Sequence, residues 1–229
     1  MVWRWVAAIL IQVFIFFIGR LVTCLIITAI VNVTISYDLK CDVKASGTKD
    51  FGKYKVCYVK DMIITAKNET IKLMNGNPKS SKLKAIEIKD QTMNFFLKRI
   101  GKFFPDMKFL RARNTQLKTI GRDDFKFMTQ LEWIDISGQE IQSLDGNLFT
   151  FTPKLRFISF TVNKLQHVGP GLLKKLDNVQ KVSFSFNACI DRDAKSKNEI
   201  AGLILEMEKT CPKKKMQTTF FQDLFSFFY

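Results

Sequence analysis

Histidine is almost missing from this chain, because His167 is the only one among 229 residues. No serine or cysteine nucleophile motif lies near this lone imidazole, which argues against acid–base or nucleophilic catalysis. The five cysteines form no C-x-x-C pair and no cysteine–histidine cluster with zinc spacing, which argues against a metal site. A glycine-rich phosphate loop is also missing from the sequence. The sequence therefore predicts a protein that is not an enzyme and that uses no metal and no cofactor.

Acidic residues are few relative to basic ones. The chain has 36 Lys and Arg against 21 Asp and Glu, a net charge of +15. This balance favours acidic partners such as a glycosaminoglycan, an anionic lipid or an acidic protein, and it is equally typical of a soluble secreted protein. No nucleic-acid-binding motif is present, so nucleic acid is not an expected partner.

What the chain contains instead is a 24-residue repeat over residues 83–188. Apolar residues open its five copies at Leu83, Met107, Leu131, Leu155 and Val179. Further apolar columns follow three, five and ten positions later in every copy. The spacing L-x-x-L-x-L-x-x-N-x-L is the leucine-rich repeat signature. It predicts an α/β solenoid, a right-handed superhelix with a parallel sheet on its concave face.

The eighth position after each opening residue is less uniform than the apolar columns. It holds Asn163 and Asn187 in the last two copies, but Gln91, Thr115 and Gln139 in the first three. A buried amide at this position bonds free backbone groups of the turn, and an unpaired buried polar group is costly. We therefore predict a less regular hydrogen-bond ladder in the N-terminal half.

Two pairs of cysteines flank the repeats. Cys41 and Cys57 precede them, and Cys189 and Cys211 follow them. This placement predicts the disulfides Cys41–Cys57 and Cys189–Cys211 at the two open ends of the solenoid, in an oxidising compartment.

The segments on either side of the repeats predict closing caps. Residues 37–82 contain two candidate strands, over 57–65 and 71–74, which predicts a β-rich N-terminal cap. Residues 189–212 carry apolar residues at helical spacing over 198–209, which predicts a C-terminal cap with one helix. Terminal units with a polar outer side are what a solenoid requires.

The first 36 residues have two interpretations. As a signal peptide, Leu21–Val33 is the hydrophobic region, and cleavage before Tyr37 removes Cys24 and leaves four cysteines. As a signal anchor, Trp5–Val31 is long enough to span a bilayer. Both interpretations place the repeats outside the cytosol, where Asn68 heads a glycosylation sequon.

Several segments carry a family resemblance. They are the opening Cys41…Cys57-Tyr-Val, the repeat segments Leu131-Glu-Trp-Ile-Asp-Ile-Ser-Gly and Leu155-Arg-Phe-Ile-Ser-Phe, and the closing Asn187-Ala-Cys189-Ile-Asp. Through them, residues 37–212 resemble secreted insect leucine-rich repeat proteins, especially those of dipterans. The resemblance implies protein binding or adhesion, in some relatives immune recognition, and no catalysis.

Strand residues between the buried columns predict a ligand surface on the concave face. Phe109, Trp133 and Phe157 share one position of three successive copies, which predicts a ladder of exposed aromatic rings about 4.8 Å apart. Lys84, Lys108 and Arg156, with Arg113, are predicted to frame the rings in positive charge. The predicted site includes Lys108, Arg113 and Arg156 of this frame, together with Arg111. Opposite charges on successive strands, with Arg111 among them, are expected to compensate each other. The alternative is that the rings mainly cover one another and add stability.

Residues 213–229 form a basic, aromatic tail. Three lysines lead into it, and five large apolar residues then share one helical face, which is typical of an interfacial membrane helix or a partner helix. The alternative is an extra element packed on the last repeat.

Taken together, the sequence predicts an extracellular, non-enzymatic leucine-rich repeat protein that binds a protein or an acidic glycan on its concave face. A membrane-anchored receptor or adhesion protein is the alternative.

Overall fold

The computed structural model describes residues 36–48, 52–65, 70–73, 83–97 and 100–212. Three expectations concern residues outside these ranges: the N-terminal signal peptide or anchor, glycosylation at Asn68, and membrane contact through residues 213–229. They stay predictions.

The described residues form short strands joined by turns, with little helix. The strands are β1 Ser36–Thr48, β2 Gly52–Lys60, β3 Ile63–Ile64, β4 Thr70–Leu73, β5 Leu83–Lys89, β6 Thr92–Met93, β7 Phe109–Arg113, β8 Trp133–Ser137, β9 Ser143–Leu144, β10 Phe157–Ser159, β11 His167–Val168, β12 Lys181–Ser183 and β13 Asp193–Ala194. The helical segments there are a single turn over Ile100–Phe103, a 3-10 turn over Arg122–Phe125 and a C-terminal helix over Lys197–Thr210. In this part of the chain, nine strands make one sheet in the order β13-β12-β10-β8-β7-β5-β2-β1-β4.

The repeat period sets the register of the sheet. Strands β5, β7, β8, β10 and β12 pair in parallel, and Trp133 pairs with Phe109 on one side and with Phe157 on the other. Because these partners are one 24-residue period apart in the chain, each column of the sequence becomes a row across the sheet. The predicted leucine-rich repeat solenoid with a parallel concave sheet is confirmed.

The apolar columns fill one continuous core. In the third copy, Leu131, Ile134, Ile136 and Ile141 are all fully buried. A chain of phenylalanine rings runs through the core, with centroid separations of 5.9–6.3 Å between successive rings: Phe96, Phe125, Phe149, Phe160 and Phe184. Each buried ring lies between two turns, and their contact removes apolar surface of both turns from water. Neighbouring turns therefore stabilise one another.

The polar ladder at the eighth position is more regular than the sequence suggested. Gln139 acts as the asparagine does elsewhere: its Oε1 accepts from the N–H of Leu117 at 3.0 Å and its Nε2 donates to the carbonyl of Ala112 at 2.9 Å. In the next copy, Nδ2 of Asn163 likewise donates to a backbone carbonyl of the preceding turn. The ladder departs from this pattern at Thr115, because its short side chain donates to Oε1 of Gln139 and does not take the place of the amide. The predicted irregularity is therefore wrong for the third copy, because the longer glutamine still spans the gap.

Both predicted disulfides are present near the ends of the solenoid. Cys41 on β1 bonds Cys57 on the antiparallel strand β2, with 5.0 Å between their Cα atoms. Cys189 bonds Cys211, with 5.1 Å between their Cα atoms. The second bridge ties the end of the C-terminal helix to the last repeat.

The C-terminal helix closes the last turn of the core. Ser196 caps its N-terminus by accepting from the N–H of Glu199, and Ile200, Leu203 and Met207 form its buried face. The helix predicted over 198–209 is thus confirmed. Among the described residues, no helix has both the length and the apolar character needed to cross a bilayer.

Candidate binding surface on the concave face

A row of aromatic rings crosses the concave sheet. Tyr54 stacks on Phe109 with 4.4 Å between centroids, Phe109 lies 6.4 Å from Trp133, and Trp133 stacks on Phe157 at 4.8 Å. We call these four residues the aromatic row. Tyr54 was not predicted from the sequence, because it belongs to β2 of the N-terminal cap, and only the pairing of β2 with β5 extends the row.

The rings of the aromatic row differ in exposure. Phe109 is only 8 % exposed, packed with Val56 and Ala85 between its two aromatic neighbours. The expectation that Phe109 is exposed is therefore wrong, because the cap covers it. Trp133 and Phe157 are half-buried, so their part of the row is the part that a partner can contact.

Two arginines of the predicted site are paired within the chain. Arg111 lies between Glu87, at 3.0 Å, and Asp135, at 3.5 Å. Arg113 donates to the same Asp135 through Nε at 2.9 Å. Asp135 is 3 % exposed, and two guanidinium groups offset the cost of burying its carboxylate. The expected charge compensation across these strands is confirmed.

The other two cations of the predicted site, Lys108 and Arg156, share one carboxylate. Glu132 accepts from Lys108 at 2.6 Å and lies 3.5 Å from Arg156, whose guanidinium also stands 5.4 Å from the ring centroid of Phe157. The four cations of the predicted site therefore face three carboxylates, Glu87, Glu132 and Asp135. Their positive charge is largely compensated within the chain.

A small depression opens beside the aromatic row. It has a volume of about 70 Å³, and its lining includes Tyr54, Tyr58, Arg111 and Trp133. That volume holds about two water molecules, whereas a small-molecule site needs roughly 300 Å³ or more. The depression therefore has room for about one side chain and not for a drug-sized ligand.

The C-terminal half of the concave face carries hydroxyl groups in place of charges. Adjacent hydroxyl oxygens lie 2.7–3.1 Å apart in a chain that zigzags between strands: Ser137, Ser159, Thr161 and Ser183. We call this chain, together with Ser185, the hydroxyl floor. The sequence signal for the hydroxyl floor is the change of positions four and six of the copy from charged residues to Ser and Thr.

Asp193 ends the hydroxyl floor at the C-terminal cap. The hydroxyls of Ser183 and Ser185 both donate to its carboxylate. Burial opposes ionisation, but these two hydrogen bonds, with help from Lys181 and Lys195, hold the pKa of Asp193 below its usual range. The floor therefore ends on a carboxylate that stays ionised.

His167 contacts the C-terminal cap, since its Nδ1 lies 3.0 Å from the carbonyl oxygen of Pro212. Within the described ranges, no three His, Cys, Asp or Glu side chains gather in a way that could hold a metal ion.

Comparison with solved structures agrees with this architecture. The crystal structure of the LRIM1/APL1C complex matches with a TM-score of 0.54 and 16% identity, over 66% of this chain and 27% of that chain. The Toll–Spatzle complex, described as a hub in Drosophila development and innate immunity, matches with a TM-score of 0.45 and 20% identity, over 53% of this chain and 17% of that chain. The TLR13–ssRNA13 complex matches with a TM-score of 0.43 and 20% identity, over 53% of this chain and 19% of that chain.

The match to the LRIM1/APL1C complex shows that the chain folds as a leucine-rich repeat solenoid. This chain spans about a quarter of the length of that neighbour. The sequence matches no protein-family model and no curated protein.

Proposed function

We propose that this chain is a non-enzymatic binding protein of the extracellular space, and that it binds a protein partner on the concave face. The observation that carries the proposal is the half-buried pair Trp133 and Phe157 at the centre of a parallel sheet. Tryptophan and other aromatic residues are enriched among the few residues that dominate protein interfaces.

The surroundings of this pair support a protein partner over an acidic glycan. The rings are held rigid by stacking, so little side-chain entropy is lost on binding. The cations nearby already have carboxylate partners, such as Glu132 for Lys108. A sulfated glycan would have to compete with these carboxylates, whereas an apolar side chain of a protein would not.

The extracellular location rests on the two disulfides. Disulfides persist in oxidising compartments and are rare in the cytosol. The bonds Cys41–Cys57 and Cys189–Cys211 therefore favour export of the chain.

Alanine substitution tests the proposed site. Full-length exported protein is measured against a panel of extracellular proteins and against heparin by biolayer interferometry. For a protein that binds, Trp133→Ala and Phe157→Ala are each expected to weaken the affinity about 30-fold, the effect of a residue worth about 2 kcal/mol. The matched control is Phe127→Ala, which removes an aromatic ring that is 39% exposed and outside the concave strands. Binding that survives both concave substitutions, or that Phe127→Ala weakens equally, contradicts the proposal.

A membrane-anchored receptor or adhesion protein is the second candidate, because the apolar run Trp5–Val31 is long enough to span a bilayer. N-terminal sequencing of the exported material separates the two candidates. A mature start at Tyr37 excludes the anchor, and an intact N-terminus in the membrane fraction excludes the secreted form.

A further inference from the structure

The depression beside the aromatic row begins where the first copy of the repeat has a small residue. Two positions after the opening residue, the first copy has Ala85, whereas the next three copies have Phe109, Trp133 and Phe157. On its other side Ala85 pairs with Val56 of β2. Ala85 and Val56, each 4% exposed, line the base of the depression. Two short side chains therefore leave a space at the end of a row of large rings.

Aromatic rings form one side of the depression. Tyr54, Phe109 and Trp133 all line it, and the rings of Tyr54 and Phe109 stack with 4.4 Å between centroids. Because β5 lies between the strands of Tyr54 and Phe109, the two rings meet over β5. Side chains that are already held by stacking lose little conformational entropy on binding. This side of the depression is therefore formed before a partner arrives.

The other side of the depression is polar. It consists of Tyr58, Glu87 and Arg111, which pair in this order across β2, β5 and β7. These residues follow the small residues of the base by two positions along each strand. They therefore face the same side of the sheet, since side chains alternate along a strand.

The charged side chains that line or border the depression each have a partner of opposite sign. Arg111 donates from Nη1 to Glu87 at 3.0 Å, and its Nε lies 3.5 Å from Asp135. Lys44 stands 5.8 Å from the ring centroid of Tyr58 and pairs with Asp42 at 3.2 Å. A charged group that enters the depression loses its hydration and meets charges that are already paired, which is costly. The depression therefore favours a neutral, apolar side chain.

The volume of the depression sets the size of this side chain. It is about 70 Å³, roughly half of the cavity of about 150 Å³ that holds a benzene ring in a protein core. The ring of a phenylalanine, tyrosine or tryptophan is therefore too large to enter. The branched end of a valine, leucine or isoleucine side chain is small enough.

We propose that the depression binds one branched aliphatic side chain, a valine, leucine or isoleucine, of a protein partner. The inference rests on the proposed binding of a protein on the concave face. It adds a second contact beside the pair Trp133 and Phe157, and it states the chemistry that the partner brings to it. Trp133 belongs to both contacts, so one partner segment can reach both.

Peptides selected from a random phage-displayed library on the full exported chain are the probe. We expect the selected peptides to share one position that is held by valine, leucine or isoleucine, and we call this residue the peptide anchor. Replacing the anchor with alanine is expected to weaken the affinity at least about tenfold, as measured by biolayer interferometry.

Filling the depression from within the chain is the decisive variant. Ala85→Leu adds apolar carbons at its base and leaves Trp133 and Phe157 in place. We expect it to weaken peptide binding at least about tenfold, and to abolish the further loss that replacement of the anchor causes in the wild type. Circular dichroism checks that the variant is folded, and the smaller change Ala85→Val replaces it if leucine overpacks the site. The matched control Ala201→Leu, at an exposed position of the C-terminal helix, leaves the affinity unchanged.

Several results overturn the inference. They are a selection that returns no peptide, a shared position that is aromatic or charged, and an equal loss with Ala201→Leu. An anchor that contributes as much in the filled variant as in the wild type also overturns it, because the anchor then binds elsewhere.

Phe157→Ala separates this inference from the function on which it rests, because Phe157 does not line the depression. If Phe157→Ala weakens peptide binding while Ala85→Leu leaves it intact, the concave-face function stands and the aliphatic site is rejected. If neither change affects the peptides, both are rejected.

Discussion

Replacing Gln139 with leucine tests whether the polar ladder holds the turns of the solenoid together. The side chain is 5% exposed, and its Oε1 accepts from the N–H groups of Thr115, at 3.2 Å, and Leu117, at 3.0 Å. Leucine has a similar volume but offers no acceptor, so both buried amides lose their partner. Each unpaired buried group costs about 1–3 kcal/mol. The carbonyl of Ala112 loses the bond that it accepts from Nε2 at 2.9 Å. The carbonyl of Ser137, which also accepts from Nε2, keeps a bond from the N–H of Asn114, at 3.3 Å, and adds little to the loss.

We therefore expect Gln139→Leu to lower the free energy of unfolding by about 4 kcal/mol. Urea unfolding followed by circular dichroism, with the disulfides intact, measures this loss. At a denaturant slope of about 2 kcal/mol per molar urea, the midpoint falls by about 2 M. The matched control is Gln142→Leu at an exposed position, which should change stability by no more than about 0.5 kcal/mol. A loss below about 1 kcal/mol for Gln139→Leu, or equal losses for both variants, would refute the reasoning.

Two further predictions concern other parts of the fold. Gly101→Ala places a Cβ atom 2.9 Å from Cγ of Met128 and from the backbone carbon of Phe127, so thermal unfolding should show a loss of about 1–3 kcal/mol. Gly121→Ala is the control, because its Cβ would meet nothing nearer than 3.9 Å, and equal losses would contradict the packing argument. The pKa of Asp193 is lowered in the folded chain, so its carboxylate stabilises the fold at pH values above the unfolded-state pKa of about 3.9. This stabilisation is lost as the pH falls through the folded-state pKa of Asp193. Thermal melts at decreasing pH should therefore show a steeper loss of stability below about pH 4 in the wild type than in Asp193→Asn, and identical slopes would exclude the contribution.

The apolar columns of the sequence were sufficient to predict the solenoid. A position such as Ile134 recurs every 24 residues, and parallel strands in register are the arrangement that buries such a column against itself. The disulfides followed from the same reasoning, because the cysteine pairs fall on either side of the repeats. These features depend on spacing along the chain, which the sequence contains directly.

The aromatic row was predicted only in part. Trp133 and Phe157 lie where their column placed them, but Phe109 is covered by Tyr54 from a different element. The left-handed backbone of Phe186, with a φ of 60°, could not be predicted either, because glycine, asparagine and aspartate favour this region and phenylalanine does not. The pairing of Arg113 with Asp135, which lie on neighbouring strands, depends on the side-chain conformations that the sheet allows.

The sequence by itself determined the repeat, its register and the two bridged ends, because the burial of periodic apolar side chains leaves one way to stack the copies. The tertiary structure alone decided which concave residues a partner can reach. Exposure and charge depend on what the N-terminal cap covers and on which cation meets which carboxylate across the strands. These are distances between residues far apart in the chain. The repeat register predicted the compensation of Arg111, but neither the covering of Phe109 nor the pairing of Arg113 with Asp135.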